Sequence, residues 1–361
     1  MRSGLDAQLA LKGWKNASIS SSNLCELFIL LGHLEQAVEY GKKSVRYLDG
    51  SDDFLSRHLN FSVLACTLHY AGFITLAGKA FREAEVLQKK GDIEVTQLRG
   101  VPGFHYCEFL LAQGLVADAK CRGQRSLKMM LRMRLLYDIA LDQLALGQCA
   151  LVFAREAESE DFAEATEYLD AAVDGLRKSG RQDELPRGLL AHAGLYRIQQ
   201  DFVHARQDLD DAWEIATRSG MRLFECDIHL ESARVFMAMN EAGEALDASV
   251  LPPDSPFVLY LDTTGADEPE SATDSPNLKA ARAHLAEAGR LIEDTGYHRR
   301  DPELLLENAR LEFLDGHSDI ARATLAKAKA NVDEMGCHGL DYEVRLLTEA
   351  MDMPGASPLQ G

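Results

Sequence analysis

The sequence predicts an all-α fold, a right-handed α-α superhelical solenoid of about seven helical hairpins. Three observations predict it. Gly32, Gly72 and Gly114 are each followed twelve positions on by a small residue, Ser44, Ala84 and Ser126, and the same frame runs from Glu160, Gln200 and Gly316 to Ala172, Ala212 and Ala328. A repeat of about 40 residues marks a stack of helix pairs. The composition also favours helix, with 10 prolines in 361 residues and abundant Ala and Leu. No segment sustains the two-residue alternation of a half-buried strand.

The stack is expected as one solenoid over residues 1–351, with units at 9–50, 55–91, 101–136, 137–180, 185–220, 222–296 and 302–336, a closing helix at 338–351 and a disordered tail at 352–361. In the first unit, residues 9–30 read as one helix with no unit before it. The apolar side carrying Trp14 and Ile19 is bare unless residues 1–11 fold back. In the second unit Gly72 stops a helix ending near Tyr70. Leu76, Ala80, Ala84 and Leu87 then form one apolar stripe, with Ala84 small enough to let the two helices approach. The second helix of the third unit carries the one basic run of the chain, in which Lys120, Arg122, Arg125, Lys128 and Arg132 offer a docking face for an acidic segment or remain a solvated face.

The fourth and fifth units show their boundaries most openly. Asp161 and Asp201 each precede a phenylalanine and a helical run, where an acidic side chain accepts from free backbone N–H groups. Gly180, Gly220, Gly296 and Gly336 stand where a left-handed residue closes a helix. The sixth unit holds the one large irregularity. Residues 249–277 contain Pro252, Pro253 and Pro256 and an acidic stretch from Asp262 to Asp274, and read as a long mobile loop or a degraded hairpin. In the seventh, Asp301 is expected to cap the helix that Pro302 begins.

Charge and motifs bound the function. The formal charge is −19, from 57 acids and 38 bases, which opposes binding to nucleic acid. With no 18-residue run of apolar residues and no signal-peptide pattern, neither membrane insertion nor export is expected, and the chain is placed in the cytoplasm. Seven cysteines include no CxxC pair, and Cys25, Cys66 and Cys107 recur at one position of three hairpins, as buried small residues do. No HExxH, calcium loop, GxSxG elbow or GxxxxGK[ST] loop is present, so no metal, no cofactor and no catalytic activity are expected.

The frame around Leu31-Gly32 and Ala71-Gly72, with its small residue twelve on and with Phe81 and Leu209 on the same side, resembles the tetratricopeptide repeat in its longer-period form. The stretches Trp14-Lys15-Asn16-Ala17, Phe81-Arg82-Glu83-Ala84-Glu85, Leu185-Pro186-Arg187-Gly188 and Thr295-Gly296-Tyr297-His298 resemble the repeat region of bacterial signalling ATPases of the STAND/NACHT type. That resemblance implies a sensor or scaffold arm, with any ATPase or regulator supplied by another chain.

A hairpin stack offers a concave groove to a protein or peptide. Register relative to each turn assigns His69, Glu108, Arg197, Arg234, Arg310 and His317 to that groove. Arg234 and Arg310 stand at one repeat position two units apart, and a guanidinium fork suits a carboxylate of a bound peptide. The alternative is an effector-sensing module that takes a small molecule in the same groove.

Overall fold

The computed structural model describes residues 2–91, 97–246, 255–261 and 275–352. The helices, in order, are α1 (Arg2–Ala10), α2 (Trp14–Leu30), α3 (Leu34–Tyr47), α4 (Phe54–Tyr70), α5 (Ile74–Gly91), α6 (Gly100–Ala112), α7 (Val116–Met133), α8 (Leu136–Glu156), α9 (Ala163–Ser179), α10 (Leu185–Ile198), α11 (Phe202–Ser219), α12 (Arg222–Ala242), α13 (Pro256–Leu261), α14 (Pro276–Thr295), α15 (Asp301–Leu314), α16 (Ser318–Met335) and α17 (Asp341–Asp352). Among the described residues there is no strand. The architecture is an all-α, tetratricopeptide-like solenoid of stacked hairpins.

Two layers follow from two kinds of helix. The inner helices α2, α4, α6, α8, α10, α12, α15 and α17 touch one another in that order, so they form a continuous wall. The outer helices each pack one stripe onto that wall. In α9 the stripe is Ala165, Leu169, Ala172, Val173 and Leu176, spaced as one face of a helix requires. In α5 the stripe is Ile74, Ala77, Phe81, Ala84 and Leu87, while Leu76, expected in it, is 48% exposed. Ser44, Ala84, Ser126, Ala172, Ala212 and Ala328 are all buried at the seam between the layers. A side chain longer than one carbon at these points overpacks that seam.

The turns within hairpins use a left-handed residue, glycine at 32, 72, 114 and 316 and non-glycine at Glu158 and Gln200. In the fourth unit the turn residue is therefore Glu158 and not the expected Glu160. Three additional residues, Ser159 to Asp161, separate that turn from α9, which begins two residues after Asp161. Asp161 and Asp201 accept from Ala163 and His204 as the sequence suggests. Asp301 does not cap α15. It is the first helical residue and its carboxylate meets His298 at 3.0 Å.

Three further expectations change. The first helix is broken at Lys12, whose φ is 55°, and α1 folds back on α2 with Leu5 buried, yet Trp14 and Ile19 stay 50% and 42% exposed. Part of 249–277 is structured: α13 lies against α12 and α14, with Phe257 fully buried on Phe236 at 5.3 Å between ring centres. The acidic stretch from Asp262 to Asp274 and the tail from 353 onward lie outside the described residues. Finally, α8 is long and apolar enough to cross a membrane by length and composition, and half of its apolar window is buried within the fold.

The solenoid also closes on itself. The turn at Gly32 lies against Arg222 and Thr295, five hairpins later. The turn at Gly72 meets His298 and Met335, and that at Gly114 meets His338 and Gly339. The Tyr342 hydroxyl donates to the Arg155 carbonyl at 2.7 Å, bringing α17 onto the end of α8. Each early turn thus rests on the hairpin that begins the next turn of the superhelix.

Candidate functional site: an amphipathic cavity inside the superhelix

This closure leaves a cavity of about 930 Å³ along the axis. It is walled by residues of α2, α4, α6, α8, α10, α12 and α15 and by the short connections before α10 and α15. Its wall is apolar where Leu30, Val63, Leu151, Leu190 and Phe224 face inward. Its floor is polar, with groups brought in by the inner helices and by those two connections.

The floor is organised by ion pairs between hairpins. Arg187 of α10 donates to Glu108 of α6 at 2.8 Å, to Glu184 at 3.0 Å and to the Tyr70 hydroxyl at 3.3 Å. His105 lies 3.0 Å from the same Glu108. Burial raises the Glu108 carboxyl, but Arg187 and His105 outweigh burial and hold it well below the usual carboxylate range. Burial opposes charge on His105, yet Cys66 and Glu108 beside it push its pKa up. A second chain of pairs links Arg197 to Glu231 at 2.6 Å, Glu231 to Arg234 at 3.0 Å, and Arg234 to Glu303 and Glu307 at 2.5 and 2.9 Å. Arg300 joins it through Glu303 and reaches Asp227 at 2.8 Å. Glu307 continues to Arg310 at 2.6 Å and Arg310 to Glu343 at 2.7 Å, where Arg155 closes the chain. Burial raises Glu303 too, and Arg300 and Arg234 overcome it, keeping the carboxyl ionised far into acid.

The groove residues named from the sequence meet different fates. Glu108 and Arg234 line the cavity. His69 is buried behind it, in a smaller adjoining space of about 130 Å³ that it shares with Arg299. Arg197 and Arg310 lie within the chain of ion pairs, and Arg310 is 2% exposed, so it presents no free fork. Its neighbours Glu307, which is buried, and Glu343 already take that fork. His317 precedes α16 on the surface beside Glu312, away from the cavity. Of the basic run on α7, Lys120 is held by Glu164 at 2.9 Å and Arg122 by Glu85 at 2.5 Å. Arg125, Lys128 and Arg132 remain on its outer, exposed face.

Sequence reasoning missed Tyr70, Arg187, Tyr297, Arg299 and Arg300. The signal was present in part, since two adjacent arginines stand just after a helix stop at Gly296, but no local pattern marks what they face. Among the described residues no group of three or more His, Cys, Asp or Glu converges to hold a metal ion.

No family model and no curated protein matches the sequence. Among solved structures the chain is similar to the one titled the crystal structure of the apo form of RapI, with a TM-score of 0.42 and 14% identity over 95% of this chain and 84% of that one.

Proposed function

We propose that the chain is a non-catalytic binding module that takes a short peptide segment of a partner into the superhelical cavity and changes its own closure in response. The observation that supports this is the cavity itself. About 930 Å³ lies between hairpins that meet only because the superhelix closes, so a ligand there touches early and late hairpins of the stack at once. An apolar wall facing a polar floor suits a ligand with apolar side chains and a charged or amide backbone.

A second reading, an effector-sensing module for a small molecule, is favoured by the same volume, which lies in the range of small-molecule sites. Thermal unfolding with short peptides and with metabolites separates the two. A ligand that binds only the folded chain raises the melting temperature, and the peptide reading expects that rise from peptides. Ala191→Trp, which fills the cavity wall, is expected to abolish it; a rise that survives this substitution places the ligand elsewhere and ends the cavity reading.

The ligand signal would pass to a partner on the outside. The exposed Arg125, Lys128 and Arg132, next to exposed Leu131 and Met133, suit an acidic segment of an ATPase or regulator supplied by another chain, in the cytoplasm. Reversal of all three charges is expected to lose that partner in a pull-down while leaving cavity binding unchanged.

A further inference from the structure

We infer that Arg299 is the anchor for a single carboxylate on the ligand, an inference that rests on the cavity reading. Five guanidinium groups line the cavity. Four of them face carboxylates: Arg181 meets Asp183 at 2.8 Å, Arg187 meets Glu108, Arg234 meets Glu231 and Arg300 meets Asp227. Arg299 has no carboxylate at salt-bridge distance among the described residues. It lies deep in the fold yet keeps surface open to the cavity.

Its position is fixed by rings. The guanidinium carbon lies 5.1 Å from the centre of Tyr70 and 5.7 Å from that of Tyr297, and the two rings meet edge to face at 88°. Both phenol groups are engaged elsewhere, Tyr70 with Arg187 and Tyr297 with Asp227. The rings therefore offer Arg299 only their faces, a cation–π contact that orients the fork without neutralising it. One N–H approaches His69 Nδ1 at 3.4 Å, which leaves the other donors free. His69 is 2% exposed and its Nε2 has no partner. Burial and Arg299 together keep this ring neutral.

A half-buried guanidinium that meets no carboxylate at salt-bridge distance keeps its fork open to the cavity, and a planar fork accepts a carboxylate through two parallel hydrogen bonds. Charge decides the class of anion. Glu108, Asp227 and Glu303 already stand around the neighbouring arginines. A monoanion balances Arg299; a dianionic phosphate adds a charge that these acids repel. The free carboxylate of a peptide C-terminus, or one acidic side chain, meets that requirement.

The test uses the full chain and paired probes, N-acetyl-leucyl-leucine and its C-terminal carboxamide, by calorimetry. The acid is expected to bind about tenfold more tightly than the amide, the scale of one charge-assisted pair. In Arg299→Gln that preference is expected to vanish while a cooperative unfolding transition is retained. Arg299→Lys, which keeps the charge and loses the fork, serves as the second variant and is expected to lose most of the preference. Equal binding of acid and amide by the wild-type chain, or a preference that persists in Arg299→Gln, overturns the anchor and leaves the cavity reading standing. Tighter binding of inorganic phosphate than of the acid overturns the monoanion assignment. Binding of neither probe nor phosphate overturns the anchor and the cavity reading together.

Discussion

At the scale of single residues, the interior of this solenoid is held by charges that neutralise one another across hairpins. Arg234 touches three carboxylates from two helices. Arg234→Met takes one of two arginine partners from each of Glu231, Glu303 and Glu307, which keep Arg197, Arg300 and Arg310, and the expected loss is about 3 kcal/mol in urea unfolding. None of the distant partners was legible in the sequence. The apparent partner of Arg234 was Glu231, three residues away on its own helix, and that pair does form. Glu303 and Glu307 come from about 70 residues further on, and no local pattern marks them. The same holds for His229 and His284, whose Nδ1 atoms lie 2.8 Å apart under Phe257. Burial lowers His229 from 6.5 to about 4, and burial followed by His229 lowers His284 well below its usual value. Both rings are neutral in the folded chain, while unfolded they protonate near 6.5. The contribution of this pair to stability is therefore full above pH 6.5 and is lost as pH falls from there towards 4, by up to about 1.4 kcal/mol per unit for each ring. Urea midpoints between pH 7 and 4.5 are expected to show that slope, and replacing both rings with leucine is expected to flatten it.

At the scale of helices and turns, much was legible, because hairpin packing repeats. One small residue per unit, twelve after the turn in five units and fourteen after it in the fourth, is what close contact between two helices demands, and all six such residues are buried. Ala172→Leu is expected to cost about 1–3 kcal/mol by overpacking that seam, read as a fall in melting temperature. The fourth turn was misplaced by two residues because Glu158, like Gln200, takes a left-handed conformation without being glycine. The helix α13 was hidden by its prolines, which signal the end of one helix and give no sign that another begins. Gly32 has a second role that the repeat pattern does not disclose. Its φ is +71°, and an added Cβ would lie 2.7 Å from Arg222 Cβ and 2.8 Å from Thr295 Cγ2. Gly32→Ala is expected to lose about 1–3 kcal/mol through strain and a pushed-apart contact. Gly180→Ala meets nothing within 4 Å, so it carries only the conformational share of that loss and serves as the comparison.

At the scale of the whole molecule, closure changes how the stack behaves. In an open solenoid each unit depends on its neighbours alone. Here the first hairpin also rests on the sixth, and α17 rests on α8. Loosening the first turn is thus expected to raise amide hydrogen exchange around Arg222–Cys226 and Thr295 in Gly32→Ala, far along the chain, while α9 stays as protected as before. Equal protection at both places in the variant would mean that the ends are not coupled. Closure was not legible because it depends on the small rotation between successive hairpins, which accumulates over five units and leaves no local trace. It also bears on how such a chain evolves. Duplicating or deleting one internal hairpin, the usual route by which repeat proteins change length, would shift Gly32, Gly72, Gly114 and Arg155 past the surfaces that receive them. A lineage built on this closure can vary its outer surface, but its repeat number is frozen.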